Sequence, residues 1–219
     1  MLAMTICALA IQPAHNTLTA AEVKAGWKLL FDGKSTSGWK GFRKDTVGSG
    51  WKVSDGVLEI ADVATAGDII TTDQFSEYEL SLDFNYARGQ NSGIMFHVRE
   101  IGSYPWETGP EVQIYDHLGT DRAEITGWLY NLYDCEVSTA KPAGEWNNMR
   151  VIISKEKWAT YINNTLYYEF VYQSDDFWAR VKKTKFADMP NYGKFDSGHI
   201  AIQGDHGVVK FRNIKIRPL

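Results

Sequence analysis

The chain has 219 residues, 44% of them hydrophobic and 23% charged, ordinary globular usage that excludes a disordered or low-complexity protein. A net charge of −4 and an isoelectric point near 5.7, with no Lys/Arg stripe, exclude nucleic acid as a partner class. No apolar run is long enough to span a bilayer, and eight Trp, eleven Tyr and ten Phe suit strands and sugar-binding surfaces alike.

Leu2 to Ile11 is apolar and uncharged, and Thr19-Ala20-Ala21 follows as a small-residue site before Glu22. This is the pattern of a signal peptide over residues 1–21, with a mature domain over 22–219 that is exported to the periplasm or beyond. The basic segment that usually precedes such an apolar run is missing, which points to a leader beginning upstream. Cys7 lies in the leader, so Cys135 is alone in the mature chain and no intrachain disulfide forms there.

Beyond Glu22 the sequence reads as short apolar runs punctuated by Gly, Asn and Asp. Asp55-Gly56 predicts a tight hairpin between Trp51–Ser54 and Val57–Ile60. Tyr78, Leu80, Leu82 and Phe84 alternate with Glu79, Ser81, Asp83 and Asn85, a strand with one apolar face. Ile94, Phe96 and Val98 continue the pattern and leave Met95, His97 and Arg99 on the opposite, wet face. In Glu111–Tyr115, Val112 and Ile114 face the core, while Glu111, Gln113 and Tyr115 present a carboxylate, an amide and a phenol side by side. Further strands are expected at 128–133, 146–154, 158–162, 166–170, 199–203 and 208–216. Asn163-Asn164 is the hairpin turn of the 158–170 pair. The apolar phase changes between Phe211 and Ile214, which predicts a bulge near Asn213. Ser174 caps one short helix that runs toward Lys182 and Lys183. The sum is an all-β sandwich of two antiparallel sheets. Trp39, Trp51 and Phe211 are expected in its core or at the core margin.

Recognisable metal, phosphate-loop and serine-nucleophile motifs are absent. Carboxylates near strand ends are of the kind calcium takes, without a recognisable ligand pattern, so a structural Ca²⁺ is the one cofactor left in view. The chemistry-bearing residues are polar groups on strands or just past them. His97 and Glu111 lie on wet faces, Gln203 ends its strand, and Asp205-His206-Gly207 follows at once. An imidazole near a carboxylate suits acid–base work near neutral pH.

Several segments then carry a resemblance: Phe31-Asp-Gly-Lys34 with Gly38-Trp39, Asn91-Ser-Gly-Ile94, Thr108–Asp116, Lys141–Asn147, His199–Gln203, Asp205–Gly207 and Phe211–Ile214. In this order they resemble the 3-keto-disaccharide hydrolase domain family, from about Gly26 to Leu219. The resemblance implies a concanavalin A-like jelly-roll sandwich, usually exported from bacteria. It also implies a carbohydrate substrate whose C3 hydroxyl has been oxidised to a ketone. His97 stands where many members carry Arg, a departure bearing on substrate choice.

A C3 ketone acidifies the C2 proton, so general acid–base chemistry can eliminate the C1 substituent and water can add back. That chemistry assigns catalysis to Glu111, His206 and His97, and substrate binding to Gln113, Tyr115, Asp116, Tyr130, Gln203 and Asp205. Two other functions are compatible with the sandwich. One is a non-catalytic lectin-like module. The other is an ordinary glycosidase, which needs two facing carboxylates and finds Gln113 beside Glu111.

Overall fold

The computed structural model describes residues 14–116 and 125–219. The Leu2–Ile11 run lies outside the described residues. Thirteen strands are found among them. They are β1 (Lys28–Leu29), β2 (Trp39–Gly41), β3 (Trp51–Ser54), β4 (Val57–Ile60), β5 (Ile69–Thr71), β6 (Tyr78–Tyr86) and β7 (Asn91–Val98). They continue as β8 (Glu111–Tyr115), β9 (Asn147–Ile153), β10 (Trp158–Ile162), β11 (Thr165–Phe170), β12 (His199–Ile202) and β13 (Val209–Pro218).

The strands form two antiparallel sheets, as the alternation predicts. One has the order β11-β10-β9-β6-β13-β4-β3, with β1 also on β13; the other is β2-β5-β12-β7-β8. Between them lie the apolar faces read from sequence, including Leu80, Leu82 and Phe84 of β6 and Ile94, Val112 and Ile114 of the smaller sheet. Trp39, Trp51 and Phe211 are 5%, 5% and 0% exposed, so all three belong to this core. The two indoles also donate to the carbonyls of Leu30 (2.6 Å) and Gly67 (2.9 Å), which satisfies their polar edge on burial.

The turns follow from residues that tolerate positive φ. Asp55 and Gly56 have φ of 51° and 76°, and Asn163 and Asn164 have 49° and 68°. The bulge falls where the phase change put it: the β13–β6 register shifts between Arg212 and Lys215, and Asn213 has φ 54°. There Asn213 and Asn16 exchange hydrogen bonds, each backbone N–H donating to the other's side-chain oxygen at 2.7 and 2.8 Å.

The expected helix is α3 (Asp175–Val181), with Ser174 Oγ accepting from Phe177 N–H. Two further short helices join it, α1 (Ala20–Lys24) and α2 (Val63–Ala66). The Thr19-Ala20-Ala21 segment thus opens α1, and Thr19 and Glu22 form its capping box.

Two expectations are corrected. Residues 128–133 are not a strand. Gln113 N–H donates to Trp128 O and Tyr130 N–H to Glu111 O, and the segment then turns back with Leu132 and Tyr133 N–H on Leu129 O. Its aromatic content imitates a strand, but Asn131 at φ 61° bends it. The second correction is His97. It has φ 53°, and Phe96 and His97 together oppose one residue of β12, since Val98 pairs with His199 and Met95 with Ala201. This bulge turns the ring off the wet face and against Trp158 and Tyr78.

Candidate active site

The outer face of the five-stranded sheet carries the polar residues that alternate with its core positions. Gly93 pairs with Gln113 and Met95 with Glu111, which puts Asn91, Gly93, Glu111 and Gln113 on one side. Gln203 joins them from the end of β12. Its N–H donates to Gly93 O at 2.9 Å, and its carbonyl accepts from Ser92 Oγ at 2.7 Å. The Asn91-Ser92-Gly93 stretch is therefore the bracket that seats Gln203 beside Glu111.

Gly93 has a second role. A Cβ there would lie 1.9 Å from Glu111 Oε1, so the carboxyl rests across the bare backbone of the neighbouring strand. Only glycine leaves that space.

Asn91, Glu111, Gln113 and Gln203 line a cavity of about 420 Å³ together with Tyr130, Asp205 and His206. Of the residues assigned from sequence, the structure brings together Glu111, Gln113, Tyr130, Gln203, Asp205 and His206. It does not bring His97 to them. That ring is 2% exposed, and both its nitrogens stand 2.9 Å from carbonyls, of Phe195 and Ser76. Burial pushes its pKa below the usual histidine value, against the pull of those two acceptors. His97 lines a separate cavity with Trp158, Tyr172 and Asp196. Tyr115 and Asp116 lie beyond the described lining of the Glu111 cavity, and the Asp116 carboxylate accepts from Gly89 N–H at 2.8 Å.

Besides Asn91 of β7, four lining residues have no sequence assignment: Tyr104, Trp106, Lys185 and Phe186. Tyr104 and Trp106 flank and enter a 3-10 turn, Pro105–Glu107, between β7 and β8, with their rings stacked 5.2 Å apart. The Lys185 ammonium lies 4.7 Å from the Tyr130 ring centre and 5.4 Å from that of Trp106. None sits on a strand, so period-two reading passes over them. The Tyr-Pro-Trp cluster just before the Glu111 strand is the one sequence cue.

The electrostatics set two groups apart. Glu111 is 8% exposed, and its Oε1 finds no partner among the described residues. Burial pushes its pKa up to about 8; nearby Asp68 and Asp205 add to the rise, while His206 and Lys185 oppose it. His206 is raised as well, from a different cause. Its Nδ1 bonds the Asp205 carboxylate, which raises the imidazole pKa and lowers that of Asp205. Asp68, half-buried and accepting from Gly204 N–H at 3.0 Å, is raised to about 6 by desolvation and by Asp205. One cavity thus holds a carboxyl raised by burial and a carboxylate-oriented imidazole, the two kinds of group that acid–base chemistry needs.

Gln203 is 6% exposed with its Oε1 unpartnered, as is Asn91 Oδ1, among the described residues. A buried acceptor left unpaired costs about 1–3 kcal/mol, so these oxygens are suited to hydroxyl groups of a ligand. The Gln113 amide makes no side-chain hydrogen bond to the described residues and lines the same cavity. No group of three or more His, Cys, Asp or Glu stands together as a metal site among the described residues.

Comparison with known proteins adds to this geometry. Residues 26–217 match the 3-keto-alpha-glucoside-1,2-lyase-like domain. A 3-keto-disaccharide hydrolase of Bacteroides thetaiotaomicron is 28% identical, over 89% of this chain and 79% of that protein. A crystal structure from Parabacteroides distasonis, provisionally assigned as a glycosyl hydrolase, has a TM-score of 0.86 at 32% identity and covers 94% of this chain and 99% of its own. A Bacillus subtilis protein with a galectin-like fold, 12% identical with a TM-score of 0.52, covers 91% of this chain and 92% of its own. The last likeness concerns the fold alone, and the jelly-roll sandwich expected from the sequence is the fold found.

Proposed function

Because the chain belongs to the 3-keto-alpha-glucoside-1,2-lyase-like domain family, we propose that it cleaves glycosides whose C3 hydroxyl has been oxidised to a ketone. The reaction is β-elimination across C1 and C2, followed by addition of water. The observation that supports it most is the pairing of a buried Glu111, its carboxyl pKa pushed up to about 8, with the Asp205-oriented His206 in one cavity.

With Nδ1 of His206 on Asp205, Nε2 is the basic nitrogen. It takes the C2 proton, and the electron pair moves onto the C3 oxygen to form an enolate. The Gln113 and Gln203 amide N–H groups donate to that oxygen. When the C3 carbonyl re-forms, a C1–C2 double bond forms and the C1–O bond breaks. Glu111 then gives its proton to the departing oxygen. No nucleophile and no oxidant are needed. Water added across the new double bond yields the free 3-keto sugar, so elimination and hydration sum to hydrolysis. General acid and base each contribute about 10²–10⁴-fold in such steps.

The test compares a 4-nitrophenyl 3-keto-glucoside with its unoxidised parent. Release of nitrophenolate from the keto compound alone is expected, with an unsaturated ketone transiently absorbing in the ultraviolet and C2 deuterium appearing in D₂O. Equal turnover of the parent would favour ordinary glycosidase chemistry and overturn the proposal.

A further inference from the structure

A second cavity, of about 590 Å³, adjoins the one that holds Glu111. It is a groove along the end of α3 and the segment after it, and Lys185 lines both cavities, so the two share a wall. Arg180 and Lys183 complete its basic lining, against a single carboxylate, Asp176. That carboxylate is already engaged by the Tyr133 hydroxyl at 2.7 Å and by Arg180 Nε at 3.0 Å. Arg180 is held in place as well: its Nη1 donates to Leu132 O at 2.9 Å, and its guanidinium lies 4.3 Å from the Tyr133 ring centre. Neither Lys183 nor Lys185 pairs with a carboxylate among the described residues, in a chain whose net charge is −4. A pre-positioned guanidinium and two ammonium groups without a carboxylate partner among the described residues make a site for an anion.

We propose that this groove is the subsite for the leaving group, and that it takes a sugar bearing an anionic substituent, a uronate carboxylate or a sulfate ester. The inference rests on the reading of the Glu111 cavity as the site of elimination. Glu111 protonates the oxygen that joins the two sugars, and the wall at Lys185 is where the second sugar passes from one cavity to the other. The anion then lies against Lys183 and Arg180, with no change in the bonds made or broken.

The test uses the full chain and four 3-keto-glucosides, with methanol, glucose, glucuronic acid and glucose 6-sulfate as leaving groups. At low salt the two anionic substrates are expected to show about tenfold higher kcat/KM than the glucose-linked one, mostly through KM. That advantage should shrink as ionic strength rises to about 0.5 M, where the Debye length falls to about 4 Å. Lys183→Glu should abolish it and leave the methyl glycoside unaffected, whereas Lys183→Arg should keep it. A preference for only one of the two anions supports the proposal and identifies the source. Equal kcat/KM for charged and neutral leaving groups, or a preference that survives Lys183→Glu, overturns it. If no 3-keto-glycoside is turned over, the function falls, and calorimetry with unoxidised glucosyl-glucuronic acid still reads the groove. Binding that weakens with salt and with Lys183→Glu upholds an anion site there; no binding ends it.

Discussion

Glu111 holds its proton more tightly than a free carboxyl because burial disfavours its charged form, and its Oε1 finds no hydrogen-bond donor among the described residues. In the folded state its pKa is about 8, against an ordinary 4.5, so the native chain binds this proton more tightly than the unfolded chain. Its contribution therefore favours the fold at low pH and turns against it as pH rises from 4.5 through about 8, at up to ~1.4 kcal/mol per pH unit. Asp68 acts with the same sign, but only between 3.8 and about 6. Melts of Glu111→Gln and the wild type between pH 6 and 9 thus isolate Glu111, and the variant should gain on the wild type as pH rises. A constant difference across that range would show that the carboxyl is not held protonated. In turnover, Glu111 must carry its proton and His206 must lack one. The pH profile of kcat/KM should be a narrow bell, with its alkaline limb near pH 8 and its acid limb above the ordinary histidine value of 6.5. Glu111→Gln should lose the alkaline limb and His206→Ala the acid one, each with a loss of at least ~10²-fold. Interchanged limbs would reverse the two roles.

At the scale of elements, the site depends on how β7 lies beside β8. Gly93→Ala puts a methyl group into the Glu111 carboxyl, 1.9 Å from Oε1. Overpacking of this kind costs about 1–3 kcal/mol, and the displaced acid should lower kcat by at least tenfold. The double variant Gly93→Ala/Glu111→Ala should recover most of that stability but no activity, a non-additivity that a purely backbone effect of alanine would not give. This pairing was legible in part. Period-two alternation put Glu111 and Gln113 on the outer face, and Asn and Gly marked turns and the Asn213 bulge because they tolerate positive φ. The bulge at His97 carried no such mark, since histidine rarely takes φ 53°, and one inserted residue moved the ring to the other side of the sheet. Trp106 and Lys185 escaped for a different reason: each lies in a short 3-10 turn, where no repeat distinguishes a lining residue from any other loop residue.

For the molecule as a whole, stability rests on the packed space between the sheets. Trp51 and Phe211 meet there, with ring centres 6.3 Å apart. Either Ala variant should lose about 3–5 kcal/mol in thermal or denaturant melts. Unchanged melts with lost ligand binding would mean that these rings serve the site instead. The strand that carries Phe211 has a further consequence, because β13, the last strand of the sandwich, lies in the interior of the larger sheet. It pairs with β6 along most of its length and with β4 and β1 on its other side. Until residues 209–218 are available, β6 and β4 have no partner between them and the sheet is split. Folding during synthesis therefore cannot run to completion from the N-terminal side; the sandwich closes only when residues 209–218 have left the ribosome. A nascent chain stalled with Val209 still in the exit tunnel should be cut readily by protease, and one extended by a long C-terminal linker should resist it.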